Sequence, residues 1–105
     1  MQDAFSYLVN TEYYRREHMC SLAESYHHVF FSESAVNRFV RREFEREECS
    51  GDEARFLFYC FLISQICADA AVPQQAWLDT LGFLGEAGYP APCTPVPPPR
   101  AGAGR

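Results

Sequence analysis

The stretch 50–72 constrains this chain more than any other part of it: a helix-start signal runs straight into an almost unbroken apolar segment. Ser50-Gly51-Asp52-Glu53 fits the capping box, in which a Ser hydroxyl and a Glu carboxylate three positions on satisfy free backbone N–H groups. Phe56-Leu57-Phe58-Tyr59-Cys60-Phe61-Leu62-Ile63 then presents hydrophobic side chains all round the helix, continued by Ile66 and Cys67. A helix apolar on every face has to be surrounded, by other helices or by a partner chain. The pattern therefore predicts a third helix over 51–71 as the central rod of a small helical bundle.

Other segments supply the surrounding helices. Ala4, Phe5, Leu8 and Val9 recur at helical spacing, and Thr11 is a candidate N-cap. Tyr14, Met19, Leu22, Ala23, Tyr26, Val29 and Phe30 extend the pattern, which predicts a helix over 12–30. Ser32-Glu33-Ser34 marks a break. Val36, Phe39, Val40 and Phe44 then form an apolar stripe opposite Arg38, Arg41, Arg42, Glu45 and Arg46, an amphipathic surface helix over 33–48. Pro73 suits a first helical position. Trp77, Leu78, Leu81 and Leu84 give the next helix its apolar face, and Gly85 and Gly88 its left-handed stop. The expected fold class is all-α: a small compact bundle of four to five helices over 1–89. Residues 90–105 contain six prolines in sixteen positions, which predicts an extended or disordered, flexible Pro/Gly-rich tail.

At 105 residues the chain is one domain. A body of that size holds only a modest core, which favours self-association into a homodimer. Its formal charge is −5, and all nine basic residues are Arg, with no Lys. Arg100 and Arg105 lie in the tail, so the body is more acidic still. An acidic body repels phosphate backbones and favours basic partners, so direct nucleic-acid binding is not expected. Five scattered cysteines, with no secretory leader pattern at the start, fit a reduced, cytoplasmic protein. No apolar stretch reaches the roughly 20 residues that a bilayer requires, so no membrane span is expected.

Catalytic and metal chemistry find little support in the residue pattern. Cys20, Glu24, His27 and His28 fall near one helix face, and Cys60 and Cys67 share another, but neither CxxC nor HExxH spacing is present. Buried structural cysteines and surface histidines are the favoured reading, with no metal and no cofactor. Cys20 and His27 sit about 10 Å apart along a helix, too far for a nucleophile–base pair. Glycine-rich phosphate loops and GxSxG elbows are missing, so the expectation is a protein that is not an enzyme. Pro95-Val96-Pro97-Pro98-Pro99-Arg100 satisfies PxxPxR, a pattern that arises readily in Pro-rich sequence.

Partner binding has the most support. Tyr7, Tyr13, Tyr14, Tyr26, Phe30 and Phe31 crowd the first third beside Arg15 and Arg16, and Tyr and Arg dominate interface hot spots. Glu45, Glu47, Glu48, Asp52 and Glu53 offer an acidic counterpart suited to an Arg/Lys-lined groove. The expected surface therefore comprises Tyr13, Tyr14, Arg15, Arg16 and those five carboxylates, facing a larger protein. In general character the chain resembles small inhibitors encoded by phages and other mobile elements, such as anti-CRISPR proteins, and anti-activators that sequester transcription factors. That likeness is one of size, charge and chemistry, with no shared motif. The alternative is a dimeric DNA-binding regulator using the Arg-bearing 33–48 helix or the helix after Pro73.

Overall fold

A computed structural model describes residues 2–15, 21–68, 70 and 72–99, except the side chains of Gln2, Asp3, Glu12, Tyr14 and Arg15. The described residues form an all-α fold of five α-helices with no strand. They are α1 (Gln2–Arg15), α2 (Leu22–Tyr26), α3 (Ala35–Arg46), α4 (Gly51–Ala68) and α5 (Gln74–Glu86). The radius of gyration, 12.9 Å, matches the ~13 Å of a folded chain this long.

Local chemistry explains where the helices begin and end. The box at α4 forms as read: Glu53 N–H donates to Ser50 Oγ (3.2 Å) and Ser50 N–H to Glu53 Oε1 (3.1 Å). Ser34 caps α3 by accepting from Asn37 N–H at 3.0 Å. A second capping box, Ser21 with Glu24, starts α2 inside the stretch read as one helix over 12–30. Thr11 is no cap; it lies within α1. Gly88 (φ +79°) ends α5 in a Schellman motif, Tyr89 N–H donating to Leu84 O (2.8 Å) and Gly88 N–H to Gly85 O (3.0 Å). Gly85 belongs to the helix itself.

The centre of the molecule is not the segment that hydrophobicity singled out. α2 runs directly into a π-helical turn, His27–Phe31. Along 22–31, Leu22, Ala23, Ser25, Tyr26, Val29, Phe30 and Phe31 are all buried. Phe30 packs edge-on against Phe5 (5.3 Å) and Phe58 (4.7 Å), while Tyr26 meets Trp77 of α5 at 6.2 Å. A turn buried this deeply must find partners for the four carbonyls freed at its end. His28 O accepts from the Ser32 and Ser34 hydroxyls (2.8 and 3.0 Å), and Val29 O from Asn37 Nδ2 (3.0 Å). Phe30 O accepts from Cys93 N–H (2.7 Å), and Phe31 O from Val96 N–H (3.2 Å). Every one is satisfied.

One expectation is thereby corrected. α4 is not the central rod: it buries Ala54, Phe58, Phe61 and Leu62 on one face and leaves Phe56, Leu57 and Ile63 60%, 44% and 61% exposed. Its neighbours cover one side only, because the core volume is already filled by the aromatic side chains of 22–31. The described part of the stretch after residue 89, as far as Pro99, is extended and lies along the bundle as a strap. Pro90 and Pro92 are buried, Tyr59 donates its hydroxyl to Pro90 O (3.2 Å), and His27 Nε2 bonds Val96 O (3.0 Å). The physical reason is the pair of buried carbonyls that Cys93 and Val96 satisfy. Residues 100–105 lie outside the described residues.

Candidate partner-binding surface

α3 carries the charges and arranges them by sign. Val40, Phe44 and Asn37 face inward, so the helix period turns Arg38, Arg41 and Arg42 outward, followed by Glu45 and Arg46. The three arginines line an open concavity of about 340 Å³. Arg41 Nη2 donates to Asn37 Oδ1 (3.4 Å) and also reaches the Cys93 thiol, whose pKa burial nonetheless pushes up. Among the described residues Arg38 and Arg42 form no ion pair; Arg46 is drawn to Glu43.

The C-terminal end of α3 is built against local preference. Glu48 N–H donates to Glu45 O (3.0 Å) and Cys49 N–H to Phe44 O (3.2 Å), a Schellman motif whose left-handed position is filled by Glu48 (φ +56°) instead of glycine. A side chain there costs about 1–2 kcal/mol. Two further carboxylates, Glu45 and Glu47, crowd the negative end of the helix dipole, where anions are disfavoured. Asp52 and Glu53 differ. They sit in the first turn of α4, where the dipole favours them, and the Ser50 backbone and hydroxyl hold the Glu53 carboxyl below its ordinary pKa. Between the two groups lies the half-buried Cys49, whose thiol is pushed up by burial first and then by Glu53 and Glu47.

All five predicted carboxylates, Glu45, Glu47, Glu48, Asp52 and Glu53, are exposed within nine positions spanning the α3–α4 junction. Among the described residues none of Glu45, Glu47, Glu48 and Asp52 forms an ion pair. The aromatic half of the predicted surface fares differently. Tyr13 is half-buried and packs against the core. The side chains of Tyr14 and Arg15, and Arg16 altogether, lie outside the described residues.

Sequence reasoning missed the outward face of α4. Phe56, Cys60, Ile63 and Cys67 follow one another at steps of four, three and four residues, one stripe of a helix, and all four are exposed. That spacing was visible, but the apolar residues between its members disguised it as all-round hydrophobicity. Two of the residues weighed for metal binding have other engagements: Glu24 closes the Ser21 box and His27 bonds the strap; Cys60 and Cys67 are exposed rather than buried, and Cys20 lies outside the described residues. Among the described residues no group of three or more His, Cys, Asp or Glu is placed to hold a metal ion, and no helix is long and apolar enough to cross a membrane. Comparison of the chain with protein-family models, curated proteins and solved structures finds no match.

Proposed function

We propose that this chain is a non-catalytic interaction module that regulates or inhibits a larger protein by occupying a basic surface on it. The acidic corner at the α3–α4 junction makes the contact. One observation carries this reading: among the described residues Glu45, Glu47 and Glu48 sit unpaired at the wrong end of a helix dipole, one of them in a left-handed conformation. Local rules broken without an internal compensation point to a use outside the fold. Clustered carboxylates steer toward Arg/Lys-lined grooves, such as those that bind nucleic acid, which a small acidic protein can block.

Affinity capture from a lysate of the source cells tests it. The native chain is expected to recover a stoichiometric basic partner that is released by raised salt, while the Glu45→Gln, Glu47→Gln, Glu48→Gln triple variant recovers none. Equal recovery by both chains, or no stoichiometric partner for either, would defeat the reading.

The three exposed arginines around their concavity favour a second reading, duplex DNA lying along α3. A strand following that helix meets Glu45, Glu47 and Glu48 within the next two turns, which opposes it. A gel shift at low salt that is lost on replacing Arg38, Arg41 and Arg42 with Ala would reverse the order of the two.

A further inference from the structure

We infer that the outward face of α4 is a docking seam for a second copy of this chain, with the two α4 helices paired antiparallel. The seam is Phe56, Cys60, Ile63 and Cys67, all exposed, with Ile63 61% and Phe56 60% open to solvent. Their 4-3-4 spacing is that of alternating d and a positions in a heptad, the geometry by which two helices interlock side chains. Half-buried Tyr59 and Ile66 flank the seam on one side and exposed Leu57 on the other. From Phe56 to Ala68 the helix has no charged residue to oppose close approach.

Size and charge select the orientation and identify the occupant as another α4. With the helices antiparallel, each Phe56 lies opposite the second copy's Cys67, and each Ile63 opposite its Cys60. A large side chain then meets a small one at every level, which lets the two surfaces interdigitate. A parallel pair would set Phe against Phe and Cys against Cys, and would bring Asp52 and Glu53 of both copies together at one end. The antiparallel arrangement separates those carboxylates by the length of the helix, about 27 Å for 18 residues. It also brings the exposed Arg55 to the second copy's C-terminal turn of α4. That turn has no basic residue of its own, and a cation there is stabilising.

One helix stripe from each copy makes a contact of modest extent, so a weak, concentration-dependent dimer is expected. It leaves the acidic corners open, one at each end of the paired helices. Two such corners in one particle bind a repeated basic surface by avidity. The pairing nevertheless stands independently of the proposed function, because the seam contains none of the carboxylates.

Sedimentation equilibrium of the full chain under reducing conditions, from low micromolar to millimolar protein, tests it. A monomer–dimer equilibrium is expected, weakened by at least ~10-fold in Ile63→Arg, a loss of at least 1.4 kcal/mol. Ile63 is exposed, so the circular dichroism and urea midpoint of that variant should match those of the native chain. For orientation, the Phe56→Cys variant is oxidised with copper phenanthroline, which accepts the two electrons as two thiols become a disulfide. Peptide mapping should find the introduced thiol joined to Cys67 across the dimer. A monomer at every concentration, a dimer indifferent to Ile63→Arg, or a Cys67–Cys67 link in the native chain, which only a parallel pair brings together, would each overturn the arrangement.

Discussion

α4 and the stretch 22–31 invert the usual relation between hydrophobicity and depth. α4 is 18 residues long, apolar on every side, and buries four of its residues; 22–31 holds a five-residue helix and a π-helical turn, and buries seven of its ten. The transfer of apolar surface from water is non-directional and scales with area, so both segments gain from being covered. What separates them is the backbone. α4 ends at the surface, with Cys67 and Ala68 exposed. The turn at 27–31 ends in the interior, and side chains from its own loop and α3, together with the strap, are placed to receive its carbonyls. Depth went to the segment whose polar groups could be satisfied there.

The sharpest way to break this contrast is to truncate the centre. Phe30→Ala should cost about 3–5 kcal/mol in urea-unfolding stability, enough to leave much of the chain unfolded. Ending the chain at residue 89 comes next. It strips the partners from Phe30 O and Phe31 O, about 1–3 kcal/mol for each carbonyl, and the amides of 28–31 should lose hydrogen-exchange protection. A truncated chain as stable as the native one would return residues 90–99 to the status of a loose tail.

Smaller effects refine the picture at its edges. Glu48→Gly should raise stability by about 1 kcal/mol, since glycine takes the left-handed position freely and a charge leaves the helix end. If the proposed function holds, the same change weakens partner capture, so stability and binding should move in opposite directions. Alkaline pH should loosen the strap. Burial pushes Tyr59 up from 10 to about 12, opposed by Arg55, so the stability it contributes is complete below pH ~10 and is lost as pH rises through 12. The ionised oxygen has no proton to give Pro90 O. Comparing pH profiles of the native chain and Tyr59→Phe isolates this effect, because the variant lacks that loss. The smallest effect is expected where hydrophobicity first drew the eye: Phe56→Ala should change monomer stability by no more than ~0.5 kcal/mol. A cost near that of Phe30→Ala would mean that α4 is covered after all.

Much of the fold was legible wherever the signal is local. The Ser50–Glu53 box, the Ser32–Ser34 break and the Gly88 stop each involve residues within one turn of each other, and they stand as read, whereas the stripe of α3 does so only at Val40 and Phe44: Phe39 is exposed and Asn37 is buried instead. The Ser21–Glu24 box was equally local but hidden by the apolar pattern that runs across it. The acidic corner was legible as composition. That Glu48 adopts a left-handed backbone was not, because nothing in a Glu-Glu-Cys-Ser sequence marks that conformation. The outward seam of α4 failed for a different reason: a helix apolar all round does not announce which face its neighbours will decline.

The amino-acid sequence by itself settled that the chain is helical and where α3, α4 and α5 lie, since capping, helix period and turn chemistry act over a few residues. It also settled the sign and concentration of charge, which need only counting. Which helix is enclosed, whether a proline-rich end is held, and which apolar face stays open were decided by tertiary structure alone. Those outcomes depend on hydrogen-bond partners such as Cys93 for Phe30, sixty-three positions apart in the chain, and no local rule carries that information.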